Sequence, residues 1–227
     1  AARTNALIYA AYVKLITHTP RMSNEDGEPM VVKRRSETME ENRAKLLMAA
    51  RKAFAEKGFA AASMDELTAS VGLTRGALYH NFGDKKGLLA AVVAQMDGEM
   101  AQQAKAEAAD AGDDWEKLLA EGVAYIKMAL DPEVRRIVLL DGPAFLGNPA
   151  RWPGQLSCLE STRQTLTQLL ERGVIKTVDA DAAAYMLNSA AMNAALWIAA
   201  SPDPQKALPA IIAVFTELAS GLCQRPQ

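Results

Sequence analysis

Residues 63–84 carry three helix-start signals separated by glycine turns, and this spacing constrains the fold more than any other feature of the chain. Ser63 with Glu66 forms a capping box, in which the serine caps a helix and the glutamate reaches back to its start. Gly72 supplies a sharp turn, and Thr74 and Asp84 are typical N-caps of two further helices. A helix, a short helix, a tight turn and another short helix form the layout of a helix-turn-helix.

The remainder of the chain also predicts helices. Half of its residues are hydrophobic and 14 are Gly, and no segment shows the alternation of a half-buried strand. The fold class is therefore all-α. Helices are predicted in the N-terminal part over about 40–57, 63–70, 74–82 and 85–109. In the C-terminal part they are predicted over about 113–130, 155–172 and 179–200, and two more begin at 132 and at about 208. A Gly- and Pro-rich break is predicted at 141–154.

Charge is divided unevenly along a chain whose net charge is only −2. Residues 31–86 hold 11 Lys and Arg against 7 Asp and Glu, whereas residues 87–227 hold 11 against 17. A basic N-terminal part on an acidic body indicates a nucleic-acid contact that is confined to one end.

Residues 43–89, RAKLLMAARKAFAEKGFAAASMDELTASVGLTRGALYHNFGDKKGLL, resemble the DNA-binding domain of the TetR family of bacterial transcriptional regulators. The most specific parts are AxxxFAEKGF, SMDEL and GALYHNFGDK, which occur in order and at the family spacing. The resemblance implies a three-helix helix-turn-helix DNA-binding domain at 37–86, followed by a larger helical effector-binding and dimerisation domain at 87–227. We expect residues 1–36 to be an extension or arm that is partly disordered or non-native, with a DNA-supporting helix as the alternative for residues 1–21.

Helix three is expected to present its polar side to DNA, because Leu78 points into a small core with Phe54, Leu67 and Val71. Arg75 at its N-terminal end is suited to a guanine, and small residues let the backbone approach the bases. By resemblance, Tyr79 and Lys85 bind phosphates. The candidate DNA-binding residues are Lys33, Arg34, Arg35, Ser63, Thr74, Arg75, Gly76, Ala77, Tyr79, His80, Asn81 and Lys85.

Some of these assignments have a structural alternative. Tyr79 is also suited to plain packing, His80 to simple solvent exposure, and Lys85 with Lys86 to a solvated helix start. The run from Lys33 to Arg35 is of a kind common in flexible arms.

The C-terminal helices suggest a pocket and an interface, and packing in the chain's own core is the alternative for the residues named. By resemblance, a small-molecule effector binds among residues 90–172, and the last two helices pair with those of a second copy in a homodimer. The Met and Trp content suits an apolar effector. Candidate pocket residues are Met96, Met100, Trp115, Ile126, Phe145, Trp152 and Leu159. Candidate dimer residues are Ala190, Ala194, Trp197, Ile211, Phe215 and Leu218.

Catalytic and metal-binding patterns are missing from the sequence, so neither an enzyme nor a cofactor is expected. The two histidines, His18 and His80, form no cluster with cysteine at metal spacing. Cys158 and Cys223 do not form a disulfide framework, which favours a reducing cytoplasmic setting and leaves redox sensing by Cys158 open. We predict that the protein is a repressor that binds a pseudo-palindromic operator and is released by a ligand. No contact with a membrane is expected. A helical carrier with a non-functional helix-turn-helix and an activator of the same fold are the alternatives.

Overall fold

The computed structural model describes the backbone of residues 30–224 and the side chains of residues 37–224. The chain divides into two compact units, Ala1–Glu41 and Asn42–Gln227. The expectations for residues 1–29 and for the side chains of Lys33, Arg34 and Arg35 lie outside the described residues. The predicted domain boundary at residue 86 lies inside a helix and stays a prediction.

The described part of the chain is helical and contains no strand, which confirms the all-α prediction. An isolated antiparallel bridge joins Ile175 to Cys223. The α-helices are α1 (Met30–Ala61), α2 (Met64–Ser70), α3 (Arg75–Phe82), α4 (Lys85–Glu107), α5 (Asp114–Lys127), α6 (Gly142–Leu146), α7 (Pro153–Glu171), α8 (Ala180–Ala200) and α9 (Pro204–Ser220). Helical turns of other types occupy Met128–Leu130, Val134–Asp141 and Pro149–Arg151.

The first helix is longer than predicted. It begins at Met30 rather than near residue 40, because no Gly or Pro interrupts the chain between Pro29 and Gly58. Gly58 is the predicted end of its regular part, and the glycine adopts φ 77° and ψ 160°. One further helical turn follows this kink, to Ala61.

The three predicted N-caps of the helix-turn-helix are confirmed. Ser63 Oγ accepts from the Glu66 backbone N–H at 3.4 Å, and Thr74 Oγ1 accepts from that of Ala77 at 3.2 Å. Asp84 Oδ1 accepts from the backbone N–H of Gly87 at 2.6 Å and begins α4. Each cap satisfies a donor that the helix itself leaves unpaired.

The core of the helix-turn-helix contains the predicted residues. Phe54, Leu67 and Leu78 are at most 3% exposed, and the half-buried Val71 packs against them. Burial of these side chains from three helices holds α3 in a fixed orientation, because the apolar area removed from water stabilises that packing.

The helix predicted from residue 132 is confirmed, since helical backbone begins at Pro132, but the break predicted at 141–154 is wrong over residues 141–146. A π-helical segment, Val134–Asp141, continues directly into α6. Gly142 lies against the Trp152 ring, where a Cβ would overlap it, so the glycine serves close packing rather than a turn. The chain leaves the helix only at Gly147, with φ 85°.

Candidate nucleic-acid interface and effector cavity

Helix α3 has one buried side and one exposed side. Leu78 is 1% exposed, whereas Arg75, Gly76, Tyr79 and His80 are exposed. Tyr79 retains 48% of its accessible surface, so it is not a core residue. The exposed side therefore presents a guanidinium, a phenol and an imidazole beside a glycine that lets the backbone approach a partner.

Arg75 and Asn81 are already engaged within the protein. The Arg75 Nε lies 3.3 Å from Asp65 Oδ1, and both side chains are more than half exposed. Asn81 Nδ2 donates to the Ala77 carbonyl at 2.8 Å, which holds its amide along the helix. Arg75 needs only to exchange a solvated ion pair to reach a base, whereas Asn81 must give up a helical hydrogen bond.

The predicted phosphate contacts also have internal partners. Lys85 Nζ donates to the Ala60 carbonyl at 3.1 Å and lies 4.8 Å from the centre of the Phe59 ring. The hydroxyls of Ser63 and Thr74 accept hydrogen bonds in their caps, which leaves each O–H free to donate to a phosphate oxygen. These groups surround the start of α2, α3 and α4, where helix dipoles favour anions.

Sequence reasoning missed two residues that position this surface. Arg43 donates to the Asn81 carbonyl at 3.3 Å and stacks 4.6 Å from the Phe82 ring centre, so it fixes the end of α3. Gly87 lies so close to the Phe82 carbonyl that a Cβ would overlap it. The first contact joins residues far apart in sequence, whereas a glycine inside a predicted helix was a visible signal of the second.

A cavity of about 390 Å³ lies among α4, α5, α7, α8 and α9. Its volume is within the range of small-molecule sites, roughly 300–1,000 Å³. Its polar wall includes Asp97, Glu121, Tyr125, Gln155, Cys158 and Thr162. Its apolar wall includes Trp115, Leu118, Leu119 and Phe215.

Trp115 is the one predicted pocket residue on the cavity wall. Met96, Met100, Ile126 and Trp152 are buried in the main core. Phe145 packs against Phe59 with ring centres 4.4 Å apart and the rings tilted. Leu159, on α7, packs against a second hydrophobic cluster.

The polar wall shifts the protonation of its own groups. Burial raises the pKa of Asp97, and the hydrogen bond from Gln155 opposes this shift. Burial also raises the pKa values of Tyr125 and Cys158, and the charge of Asp97 adds to both shifts. The phenol and the thiol are therefore neutral hydrogen-bonding groups at pH 7, and the raised pKa of Cys158 opposes the thiolate that redox sensing requires.

Several contacts connect the helix-turn-helix to the cavity-bearing helices. Arg51 bridges Glu99 on α4 at 2.6 Å and Glu133 at 2.7 Å. The Phe59 backbone N–H donates to Asp141 Oδ2 at 2.7 Å, and Arg136 lies 3.5 Å from the same oxygen. The π-helical segment thus contacts α1 directly after its Gly58 kink.

Helices α8 and α9 leave large apolar side chains exposed. Among the predicted interface residues, Trp197 is 57% and Leu218 is 68% exposed, whereas Phe215 is 7% exposed and lines the cavity. Ala190, Ala194 and Ile211 are half-buried. Tyr185, Met186 and Val214 are further exposed apolar residues on these helices.

The described residues form neither a metal-binding cluster nor a membrane-spanning helix. They contain no group of three or more His, Cys, Asp or Glu side chains placed to hold a metal ion. None of the helices in residues 30–224 is long and apolar enough to cross a membrane.

Two family models match this chain, one over its N-terminal part and one over its C-terminal part. Residues 46–92 match the family model described as bacterial regulatory proteins, tetR family. Residues 115–222 match the model described as tetracyclin repressor-like, C-terminal domain. The first match contains the helix-turn-helix, and the second contains most of the cavity wall.

Individual relatives agree with these matches. A solved TetR-family transcriptional regulator from Pectobacterium atrosepticum is 46% identical, with a TM-score of 0.76 over 84% of this chain and 98% of that one. The HTH-type transcriptional repressor AcnR of Corynebacterium glutamicum is 28% identical over 137 residues, which are 60% of this chain and 70% of the relative. The HTH-type transcriptional regulator TtgR of Pseudomonas putida is 32% identical over 111 residues, or 47% of this chain and 52% of the relative.

Proposed function

Because this chain belongs to the TetR family of bacterial transcriptional regulators, we propose that it represses transcription as a homodimer on a pseudo-palindromic operator and is released by a small-molecule effector. The chain is a DNA-binding regulator, and AcnR is a relative named as a repressor. The observation that carries the proposal is the exposed side of α3, with Arg75, Tyr79 and His80 opposite the buried Leu78.

DNA recognition divides between two sets of groups in this proposal. Arg75 leaves Asp65 to bind a guanine edge, while Gly76 and Ala77 allow close approach to the bases. Tyr79, Lys85 and the cap hydroxyls bind phosphates, which sets the register of α3 in the major groove without reading sequence.

A homodimer accounts for the exposed apolar side chains of α8 and α9. Trp197 and Leu218 are among several large apolar side chains left exposed on these two helices, which suits an interaction site. A symmetric pair of recognition helices is also what a two-half-site operator requires.

Release follows from differential binding in this proposal. An effector in the cavity favours a spacing of the two α3 helices that misfits successive major grooves, so operator affinity falls. In this proposal the change is transmitted by the contact of Arg51 with Glu99, which joins α1 to the cavity-lining helix α4. The bond from Phe59 to Asp141 joins α1 to the π-helical segment and supports the same connection.

The test is fluorescence anisotropy with duplex DNA from upstream of the protein's own gene. We expect Arg75→Ala to reduce discrimination between this DNA and a shuffled duplex by roughly tenfold, since one bidentate base contact is worth about 1–3 kcal/mol. Tyr79→Phe should weaken both duplexes by a similar factor of about five, because it removes a phosphate hydrogen bond.

The matched control is Arg151→Ala, which removes an exposed arginine outside the helix-turn-helix. It should bind both duplexes like the wild type. Equal affinity of the wild type for the two duplexes, unchanged in the Arg75 and Tyr79 variants, would contradict the proposal.

A further inference from the structure

The cavity contains a buried carboxylate with no opposite charge beside it. Asp97 is 3% exposed, and its Oδ1 accepts from Gln155 Nε2 at 2.6 Å. Within residues 37–224, no side chain forms an ion pair with Asp97 and no group donates to its Oδ2. A buried carboxylate is costly unless a cation or several donors compensate it, so Oδ2 is an unfilled acceptor on the cavity wall.

The backbone opposite Asp97 leaves room for this oxygen. Gly154, in the first turn of α7, lies so close that a Cβ there would overlap Oδ2. The next residue, Gln155, is the one that holds Oδ1. The start of α7 therefore orients the carboxylate through the hydrogen bond from Gln155, and Gly154 leaves the space that Oδ2 occupies.

Neighbouring groups on the wall add hydrogen-bond acceptors and two solvent-accessible lysines. The Tyr125 hydroxyl donates to Met192 Sδ at 3.4 Å and accepts from Gln155, which leaves one lone pair of its oxygen available. Glu121 is a second carboxylate on the wall, without a hydrogen bond or ion pair to any described residue. Lys105 and Lys117 also line the cavity. Lys105 is exposed and Lys117 is half-buried, so water solvates both charges more than that of Asp97.

Asp97 is the most buried charged group on the wall, and a buried charge discriminates between ligands more strongly than a hydrated one. A ligand that neutralises Asp97 removes the cost of the uncompensated carboxylate, whereas an anionic ligand adds repulsion. Phe215 and Leu119 provide apolar wall for the rest of such a ligand.

We infer that the effector is an organic cation, whose protonated amine donates to Asp97 Oδ2 and the Tyr125 hydroxyl while an apolar or aromatic body packs against Phe215 and Leu119. This inference rests on the effector role proposed above for the cavity. It names the chemical class that the wall selects.

The test compares three probes of one shape by isothermal titration calorimetry at neutral pH: 4-phenylbutylamine, 4-phenylbutanol and 4-phenylbutyrate. The amine should bind at least about tenfold more tightly than the alcohol, since hydrogen bonds to charged groups are the strong ones. The carboxylate should bind most weakly. No binding of the amine up to about 10 mM, the range expected for a fragment of this size, would overturn the inference.

Two variants and a control assign the preference to Asp97. Asp97→Asn keeps the side-chain shape and should reduce the preference for amine over alcohol to about twofold or less, the scale of a neutral hydrogen bond partly offset by solvation. Gly154→Ala, which displaces the carboxylate, should also reduce it. Glu171→Gln removes one negative charge at an exposed site off the cavity wall and should leave the preference unchanged.

The outcomes separate this inference from the proposed function. Two results overturn the inference even when the protein binds its operator. One is a preference for the amine that persists in Asp97→Asn. The other is a wild type that binds the amine no more tightly than the alcohol or the carboxylate. An amine preference that depends on Asp97 supports it, even when the upstream DNA proves not to be the operator.

Discussion

Gly58 is the residue at which α1 bends, and its conformation cannot be adopted freely by other residues. Its φ of 77° is in the left-handed region, and a Cβ would overlap the guanidinium of Arg136. We expect Gly58→Ala to lower the free energy of unfolding by about 1–3 kcal/mol through backbone strain and displacement of Arg136. Urea unfolding at a fixed protein concentration measures the change.

Gly98→Ala is the matched control for this prediction. Gly98 is exposed within α4, has no positive φ, and has open space where a Cβ would lie. Alanine there should raise the free energy of unfolding by about 0.5–1 kcal/mol, because glycine weakens a helix interior. Equal effects of the two substitutions would refute the special role of Gly58.

Asp97 gives the stability a specific pH dependence. Burial raises its pKa in the folded protein, so the folded state binds the proton more tightly than the unfolded state, whose pKa is about 3.9. The free energy of unfolding contributed by Asp97 therefore falls as pH rises from the unfolded pKa through the folded one. Asp97→Asn cannot ionise and should be more stable than the wild type at pH 7.

Thermal unfolding of the two proteins across this pH range, without effector, checks the sign. The difference should shrink as the pH falls from 7 toward 4 and vanish well below the unfolded pKa of about 3.9, because Asp97 is protonated in both states only there. A constant difference between pH 4 and pH 7 would mean that the pKa of Asp97 is not raised by folding.

Residues that act locally were predictable, and residues that act through distant partners were not. Ser63, Thr74 and Asp84 cap helices through bonds to residues three positions away, so the sequence contains the whole interaction. Asp97 interrupts the apolar side of α4, which was a visible signal, but its partner Gln155 lies on another helix. Nothing in the sequence pairs the two.

At the scale of elements, one ion pair joins the exposed sides of α2 and α3. Arg75 is held by Asp65, and both are solvated. Asp65→Asn should free Arg75 and remove a negative charge beside the DNA, so operator affinity should rise by up to about fivefold, the worth of a surface pair. The anisotropy titration measures this effect, and Glu116→Gln on α5 is the control with the same charge change. Weaker binding by Asp65→Asn would show that Asp65 positions Arg75 rather than competing with DNA.

The sequence predicted helices correctly where local caps and glycines determine where a helix begins and ends. The π-helical Val134–Asp141 and α6 did not, because their course depends on the bond from Phe59 to Asp141 and on the packing of Gly142 against Trp152. A Gly- and Pro-rich segment reads as a break when such tertiary contacts are unknown. The early start of α1 reflects the opposite situation, in which no break occurs at all.

At the scale of the whole molecule, the predicted homodimer has a direct test. Leu218 is 68% exposed on α9, so a charge there should not disturb the chain's own core. We expect Leu218→Asp to shift the protein toward monomer, because association would bury the new carboxylate in an apolar interface. Light scattering during size exclusion distinguishes the 24.4 kDa chain from a particle of twice that mass.

Gln205→Asp is the corresponding control, since it adds the same charge at an exposed site in the first turn of α9. A negative charge near a helix N-terminus is tolerated, and the oligomeric state should not change. A dimer that survives Leu218→Asp would contradict the assignment of this surface.

The family and the helical fold were predictable at this scale, and the matches at 46–92 and 115–222 confirm the resemblance of the chain to TetR-family regulators. The cavity wall was not predictable beyond Trp115. Five separate helices contribute to it, and their alignment depends on packing among α4, α5, α7, α8 and α9 rather than on any local pattern. The expectation of an apolar effector came from the Met and Trp content, whereas the wall contains a buried carboxylate.

The most direct test of the central claim is the salt dependence of binding to the upstream DNA, measured by anisotropy. A helix-turn-helix that binds phosphates through Tyr79, Lys85 and its helix starts should show a steep negative slope of log affinity against log salt, and tighter binding to the upstream DNA than to a shuffled duplex at every salt concentration. A slope near zero, with equal affinity for the two duplexes, would contradict the account and favour a helical carrier whose helix-turn-helix does not bind DNA.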